Sequence, residues 1–200
     1  MSESYVEESR LTLAEASLGS LLSGGAWNPS LPSGVKPRQI GDDLWSSAFD
    51  KDQLDDRPLY WQRLALSRSL RELGAGSSDL LEFELASRGM LGNQFSAGAT
   101  YRVLVTGFDP FHLDDHIEQG NPSGVVALQH QHKQIALGAE RAEIRSMIFP
   151  VRYKDFDDFL VERVLETFTD RVDMVITVSM GRTGFDLERF PGRRRSVSTP

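Results

Sequence analysis

The chain has 200 residues, of which 40% are hydrophobic, and a net charge of −7. This length and composition are typical of a folded chain with one α/β domain, or a shorter domain and an extension. The negative charge argues against a general nucleic-acid binder, which needs a basic surface, and the absence of cysteine excludes disulfides, thiolate metal sites and a cysteine nucleophile from this chain.

Two features of the sequence bear on where the protein resides. No stretch approaches the roughly 20 consecutive apolar residues that a membrane-spanning helix needs. Residues 1–9 are acidic, whereas a secretory signal begins with positive charge followed by an apolar run. We therefore expect a cytoplasmic protein that has no membrane partner.

Residues 1–100 are predicted to form a helical and irregular N-terminal extension. Apolar residues at helical spacing, bounded by proline, aspartate or glycine, predict three helices. Prolines, glycines and serines instead predict an irregular segment with Trp27 and Trp45 as anchors, and a glycine-rich linker before the second half. The helices are expected over about residues 11–21, 58–73 and 79–85, the irregular segment over 26–51 and the linker over 90–100. We interpret this half as a scaffold or a partner surface.

Residues 101–200 have the alternation of strand and helix that is typical of an α/β domain. Short apolar runs predict buried strands, and the stretches between them have helical spacing. This order implies a three-layer α/β/α fold with a mostly parallel sheet, in which ligands bind at the carboxyl ends of the strands. The strands are expected over residues 102–106, 143–149 and 173–179, and the helices over 123–132 and 155–168.

Two loops at these strand ends carry the candidate functional residues. In the first, Phe108 and Phe111 flank an Asp-Pro turn, so they either form a flat apolar slot for a planar group such as a lactam or plug the top of the sheet. In the second, Glu188 and Arg189 either supply a carboxylate that orients a catalytic base or form an ordinary surface pair.

Other chemistries have weaker signals. His112 and His116 are spaced as metal ligands can be, but a polar loop explains them equally well, and we predict no metal site. Ser179 follows a strand without the G-x-S-x-G elbow of a serine hydrolase, and the phosphate-binding G-x-G-x-x-G and Walker motifs are absent. We keep a nucleotide or phosphate binder as the weakest hypothesis.

Four motifs at these strand ends resemble one enzyme family. TGFDPF at 106–111, NPS at 121–123, FPVRY at 149–153 and LER at 187–189 are, in this order and spacing, similar to the pyroglutamyl peptidase I family, also called pyrrolidone carboxyl peptidase. The resemblance spans about residues 101–190, the N-terminal half of the family domain. It implies a cysteine peptidase of α/β/α fold that removes N-terminal pyroglutamate, commonly as a homotetramer and without a cofactor.

The resemblance also implies roles for individual residues. Phe108 and Phe111 match the aromatic residues that hold the pyroglutamyl ring, and Asn121 matches the asparagine that braces the first loop. Glu188 matches the active-site glutamate, while Met180 stands where the family places a glutamine that recognises the ring amide. Because the family cysteine and histidine lie beyond Glu188 and have no counterpart here, we expect the chain as given to be inactive.

The sequence thus supports two functional hypotheses. The first is a pyroglutamyl-peptidase-like hydrolase that acts on pyroglutamyl peptides or similar small lactams. The alternative is a non-catalytic binding or interaction protein that retains half of the fold. In either case the strand near residues 172–179 has an uncovered edge, so we expect a homo-oligomer or a completing chain to pair with it, unless the N-terminal helices cover it.

Overall fold

The computed structural model describes residues 9–16, 34–49, 54–168, 171–181, 184 and 186–188. No helix among these residues is long and apolar enough to cross a bilayer. The elements in chain order are the helical residues 9–16 (α1), α2 Pro37–Phe49, α3 Arg57–Glu72, α4 Ser77–Ala86, β1 Tyr101–Phe108, α5 Pro122–His130, β2 Gln134–Leu137, β3 Glu140–Phe149, α6 Tyr153–Asp157, α7 Leu160–Glu166 and β4 Met174–Thr177.

The four strands form one mixed sheet in the order β2-β3-β1-β4. β1 lies parallel to both β3 and β4, with Val105 beside Ser146 on one side and Ile176 on the other. β2 runs antiparallel to β3 and was not predicted, because all four of its residues are exposed and give no burial pattern. The predicted α/β fold with a mostly parallel sheet is confirmed.

Helices cover both faces of the two central strands. On one face, Leu104 and Met147 pack with Val164 of α7. On the other face, Ile148 packs with Leu128 of α5 and with side chains from α2, α3 and α4, so the N-terminal helices share a core with the sheet. Gly107 permits the close approach of α5, since a Cβ atom there would lie 2.2 Å from the carbonyl oxygen of Ser123.

The irregular segment predicted for residues 26–51 is wrong over α2. Ile40, Leu44 and Trp45 lie on one face of this helix and are at least 92% buried, so the tryptophan is an anchor as expected, but on a helix. The expected linker at 90–100 includes the buried residues Met90 and Asn93, and the Asn93 amide donates to the carbonyl oxygen of Ser146 at 2.6 Å. The division of the chain near residue 100 stays a prediction.

The predicted helix over 155–168 is divided in two. α6 ends at Asp157 and α7 begins at Leu160, because Phe159 between them adopts a left-handed backbone conformation with φ 58°. The other predicted strands and helices of this half are present with ends shifted by a few residues. The prediction that the strand at 173–179 is buried is wrong, since all four residues of β4 are exposed at the edge of the sheet. In the N-terminal half, α3 starts next to Pro58 and ends just before Gly74, as predicted, while the expected helical residues 17–21 lie outside the described part of the chain.

Candidate functional site

The carboxyl end of β1 leads directly into a buried ion pair. Asp109 follows the last residue of the strand, and each of its carboxylate oxygens accepts a hydrogen bond at 2.6 Å, one from Arg63 of α3 and one from Arg88 after α4. The three side chains are at most 6% exposed. The N-terminal helices are thereby joined to the end of the central strand by two charge-assisted hydrogen bonds, the stronger class of such bonds.

The pairing extends to the end of β3. Glu84 of α4 accepts a hydrogen bond from Arg88 at 2.7 Å and from Arg152, which follows β3, at 3.0 Å. Arg152 also donates to Asp155 at 2.6 Å. Burial opposes ionisation of Glu84, but the neighbouring arginines lower its pKa to about 2. We call this group the buried ion network; it consists of Arg63, Glu84, Arg88, Asp109, Arg152 and Asp155.

Asn121 ties the loop after β1 to the start of α5. Its side-chain amide donates to the carbonyl oxygen of Asp109 at 2.9 Å, and its side-chain oxygen accepts from the backbone N–H of Ser123 at 3.0 Å. The second bond caps the helix, because it satisfies one of the free N–H groups in the first turn. Phe108 donates its N–H to the Ser123 hydroxyl at 3.1 Å, which closes the connection.

Asp56 lies against the same turn from the N-terminal side. Both of its carboxylate oxygens are 3.1 Å from the backbone nitrogen of Asn121, and the residue is 2% exposed. Burial raises the pKa of Asp56 to about 7; the Asn121 hydrogen bond opposes this shift and the charge of Asp109 adds to it. The carboxyl group therefore changes its ionisation near neutral pH.

The two aromatic residues of the first loop make different ring contacts. The Phe108 ring packs against Phe149 and Phe156, with ring centroids 6.2 and 6.4 Å apart. The Phe111 ring instead contacts His112, at 4.6 Å. The slot for a planar group and the alternative of a plug both stay predictions.

The second predicted loop begins beside β1, where the Val178 N–H donates to the carbonyl oxygen of Thr106. Met180 and Glu188 are both exposed, and within the described residues no hydrogen bond or ion pair joins Glu188 to another side chain. The roles expected for these two residues stay predictions. His112 and His116 are described, and no group of three potential metal ligands occurs in the part of the chain that the structure covers.

The network residues were missed at the level of sequence, although one signal was present. Arg63 lies four residues after Leu59 and seven before Leu70, so it occupies the apolar face of α3, where a charge is unexpected. A charged residue on such a face requires a partner, because burying it alone is costly. The partner was not identifiable, since Asp109 lies 46 residues further along the chain.

The arrangement is suited to holding elements together rather than to acid–base chemistry. Asp109 contacts two arginines through its two carboxylate oxygens, and Glu84 contacts two arginines through Oε1, so these ion pairs connect α3 and α4 to the ends of β1 and β3. Within the described residues only Arg63 Nε and Nη1 lack an acceptor in this network, and both atoms are buried. The ends of β1 and β3, where α/β folds usually bind ligands, carry the ion pairs of Asp109 and Arg152.

Comparisons with known proteins point away from the peptidase family. The family model described as PA0049, C-terminal domain, matches residues 102–199. Uncharacterized protein PA0049 of Pseudomonas aeruginosa is 33% identical over 188 residues, an alignment that covers 75% of this chain and 34% of that protein. The chain thus spans about a third of the length of this curated relative. No solved structure matches the present chain.

The predicted membership in the pyroglutamyl peptidase I family is therefore wrong, and with it the hydrolase and thiol protease activity. The four motifs on which it rested lie within residues 102–199, and the family model that matches these residues is a different one. The physical reason is visible at the first loop, where Asp109 binds two arginines and Phe108 packs against Phe156. The residues of this motif therefore make internal contacts at the end of β1. The sheet-bearing half of the chain is similar to the PA0049 C-terminal domain.

Proposed function

We propose that this chain is a non-catalytic interaction protein that forms a twofold dimer by pairing β4 with the β4 strand of a second copy. The observation that carries the proposal is the exposed apolar edge of the sheet at β4. Met174, Val175 and Ile176 are 55%, 44% and 42% exposed, although they lie in a strand. Edge strands of monomeric proteins usually carry charges or proline that prevent such pairing.

The backbone geometry supports strand addition at this edge. β4 is hydrogen-bonded to β1 on one side, and the flanking bonds from Asp173 N–H to Arg102 oxygen and from Val178 N–H to Thr106 oxygen continue that pairing. On its other side β4 meets no strand among the described residues. The outward N–H and C=O groups are available to an added strand, which would gain main-chain hydrogen bonds.

A second copy fits this edge better than an unrelated segment because the strand is complementary to itself. In an antiparallel pair about a twofold axis, Val175 lies opposite Ile176 and Met174 lies opposite Thr177. None of these residues is charged, so no like charges face each other, and cross-strand apolar pairs each stabilise by roughly 0.2–1 kcal/mol. Closed twofold dimers are also the commonest form of protein oligomer.

The buried ion network supports the non-catalytic part of the proposal. It uses the strand ends of β1 and β3, where an α/β enzyme would place its catalytic groups, to hold α3 and α4. A cytoplasmic location and the lack of nucleic-acid and membrane partners stay predictions within this proposal.

The test is the mass of the full chain in solution, measured by light scattering across a dilution series. We expect a dimer for the wild type and a monomer for Ile176→Lys, because a charge on each β4 would repel its counterpart. Ile135→Lys is the matched control, since Ile135 is 47% exposed on the opposite edge strand, β2, and this variant should remain dimeric. A melting curve for each variant verifies that it is folded.

Two results would overturn the proposal. One is a monomeric wild type at every concentration. The other is an assembly that survives Ile176→Lys but is lost in Ile135→Lys, because that outcome places the interface on β2.

A further inference from the structure

A second feature lies at the opposite end of β1 from the buried ion network. An open cleft of about 740 Å³ is bounded by residues 90–95, by Arg102 near the start of β1, and by residues 166–168 and Arg171 after α7. Its lining includes the side chains of two arginines and one carboxylate, Glu166. Among the described lining residues, positive charges therefore outnumber negative charges by one.

Among the described residues, the guanidinium groups of Arg102 and Arg171 have no carboxylate partner, unlike those of the buried ion network. The Nε atom of Arg102 is buried and meets no acceptor among the described residues, while the backbone of this residue pairs with Asp173. Within the same part of the chain, the guanidinium of Arg171 also has no hydrogen-bond or ion-pair partner. A buried donor without an acceptor costs about 1–3 kcal/mol, so the Nε of Arg102 calls for an acceptor. Arg171, which is exposed, adds a second positive charge to the same cleft.

The remaining lining restricts what kind of anion fits. Glu166, the carboxylate in this lining, has an interaction of its own. Phe95 lies in the lining with Arg145 5.8 Å from its ring centre, and Met90 and Phe168 add apolar surface. An arginine fork binds the paired oxygens of a phosphate or carboxylate in a planar, two-bond geometry.

We propose that this cleft binds a small organic anion through Arg102 and Arg171. The phosphate or carboxylate group of the ligand contacts the two guanidinium groups, and its apolar part lies toward Phe95. This site is independent of the β4 edge, because a dimer and a monomer carry the same cleft.

Calorimetric titration of the full chain with inorganic phosphate, and separately with succinate, tests the site. We expect saturable binding of at least one of these anions, and the anion that binds identifies the group the site recognises. Arg102→Gln and Arg171→Gln should each weaken binding by about tenfold or more, which is the effect of losing one charge-assisted hydrogen bond. Lys133→Gln removes the same charge from an exposed position outside the cleft and should leave the affinity unchanged.

A nuclear magnetic resonance titration keeps the proposal testable if Arg102→Gln is unstable. The Nε–H signal of Arg102 in the wild type should move on addition of the anion, and Arg171→Gln should reduce that shift at equal anion concentration. The proposal is overturned if neither anion saturates the protein. It is equally overturned if Arg171→Gln binds as tightly as the wild type while the Arg102 signal stays in place.

Discussion

The carboxyl ends of β1 and β3 and the outer edge of β4 belong to one sheet but are built in opposite ways. At the end of β1, Asp109 is paired with Arg63 and Arg88, and these three side chains are at most 6% exposed. At the outer edge, Ile176 and its neighbours are apolar and about half exposed. The closed end resembles the interior of a domain, whereas the open edge resembles an interface.

This difference assigns stability and recognition to separate parts of the molecule. Removing one partner of a buried ion pair leaves the other charge buried and unpaired. Single substitutions at the closed end should therefore strongly reduce the free energy of unfolding. An exposed apolar strand contributes little to the folded monomer but offers area to a partner. Substitutions at the closed end therefore test whether it holds the fold.

The largest effect is expected for Asp109→Asn. The change leaves Arg63 and Arg88 buried without the carboxylate between them, so the free energy of unfolding should fall by about 3–5 kcal/mol. Urea denaturation followed by circular dichroism measures this. Asp115→Asn, in the exposed part of the same loop, is the control and should change it by less than about 0.5 kcal/mol. A similar small change for both variants would contradict a structural role for the buried ion network.

The next effect depends on pH. The pKa of Asp56 is raised from 3.8 to about 7 in the folded protein, so its protonated form favours folding below about pH 4 and this contribution is lost as pH rises to 7. Asp56→Asn avoids the cost of the buried charge and should stabilise the protein at pH 8 by at most something on the order of 4 kcal/mol, with little change at pH 4. Thermal or urea unfolding at both pH values measures it.

The adjacent Asp55 gives a control of opposite sign. Although burial opposes it, the hydrogen bond from Arg57 lowers the pKa of Asp55, so its charged form favours folding above its ordinary pKa. Asp55→Asn should therefore destabilise the protein at pH 8. If both variants shifted the free energy of unfolding in the same direction at pH 8, the raised pKa of Asp56 would be refuted.

A smaller effect is expected for Gly107→Ala at the contact between β1 and α5. The added methyl group would lie 2.2 Å from the carbonyl oxygen of Ser123, so the helix has to move away. Overpacking of this kind typically costs about 1–3 kcal/mol. Gly181→Ala is the control, since a Cβ atom there has no neighbour within 4 Å among the described residues. Equal unfolding midpoints for the two variants would show that α5 does not lie so close.

The smallest effect concerns an exposed pair. Arg10 of α1 donates to Asp114 at 2.6 Å, and the Asp114 side chain is 65% exposed. Asp114→Asn should reduce the free energy of unfolding by only about 0.2–1 kcal/mol, and less in high salt. A loss as large as that of Asp109→Asn would remove the distinction between buried and exposed charges on which the comparison depends.

Much of the sheet could be predicted because two of its strands carry short apolar stretches. Residues 103–105 of β1 and 147–149 of β3 are such stretches, and they are recognisable without knowledge of their neighbours. β2 and α2 were missed for opposite reasons. β2 is exposed and has no pattern, while the buried face of α2 lies within a stretch of glycine, aspartate and serine that is typical of a loop.

The sequence directed attention to the loop after β1, where the Asn121 amide donates to the carbonyl oxygen of Asp109. The functional roles expected for the residues of this loop stay predictions. The sequence did not reveal Arg88 or Arg152, because pairing between distant residues leaves no local periodicity. The same short motif serves a closed strand end here, so a likeness in the loop did not determine the family.

The packing of Ile148 among α2, α3 and α4 bears on how the chain folds during synthesis. Leu44 and Phe83 are synthesised well before Ile148 of β3, which packs in the same core cluster. During that interval the apolar faces of the N-terminal helices are not covered by the sheet. Until β3 arrives, this nascent segment is the natural target of a chaperone or a protease.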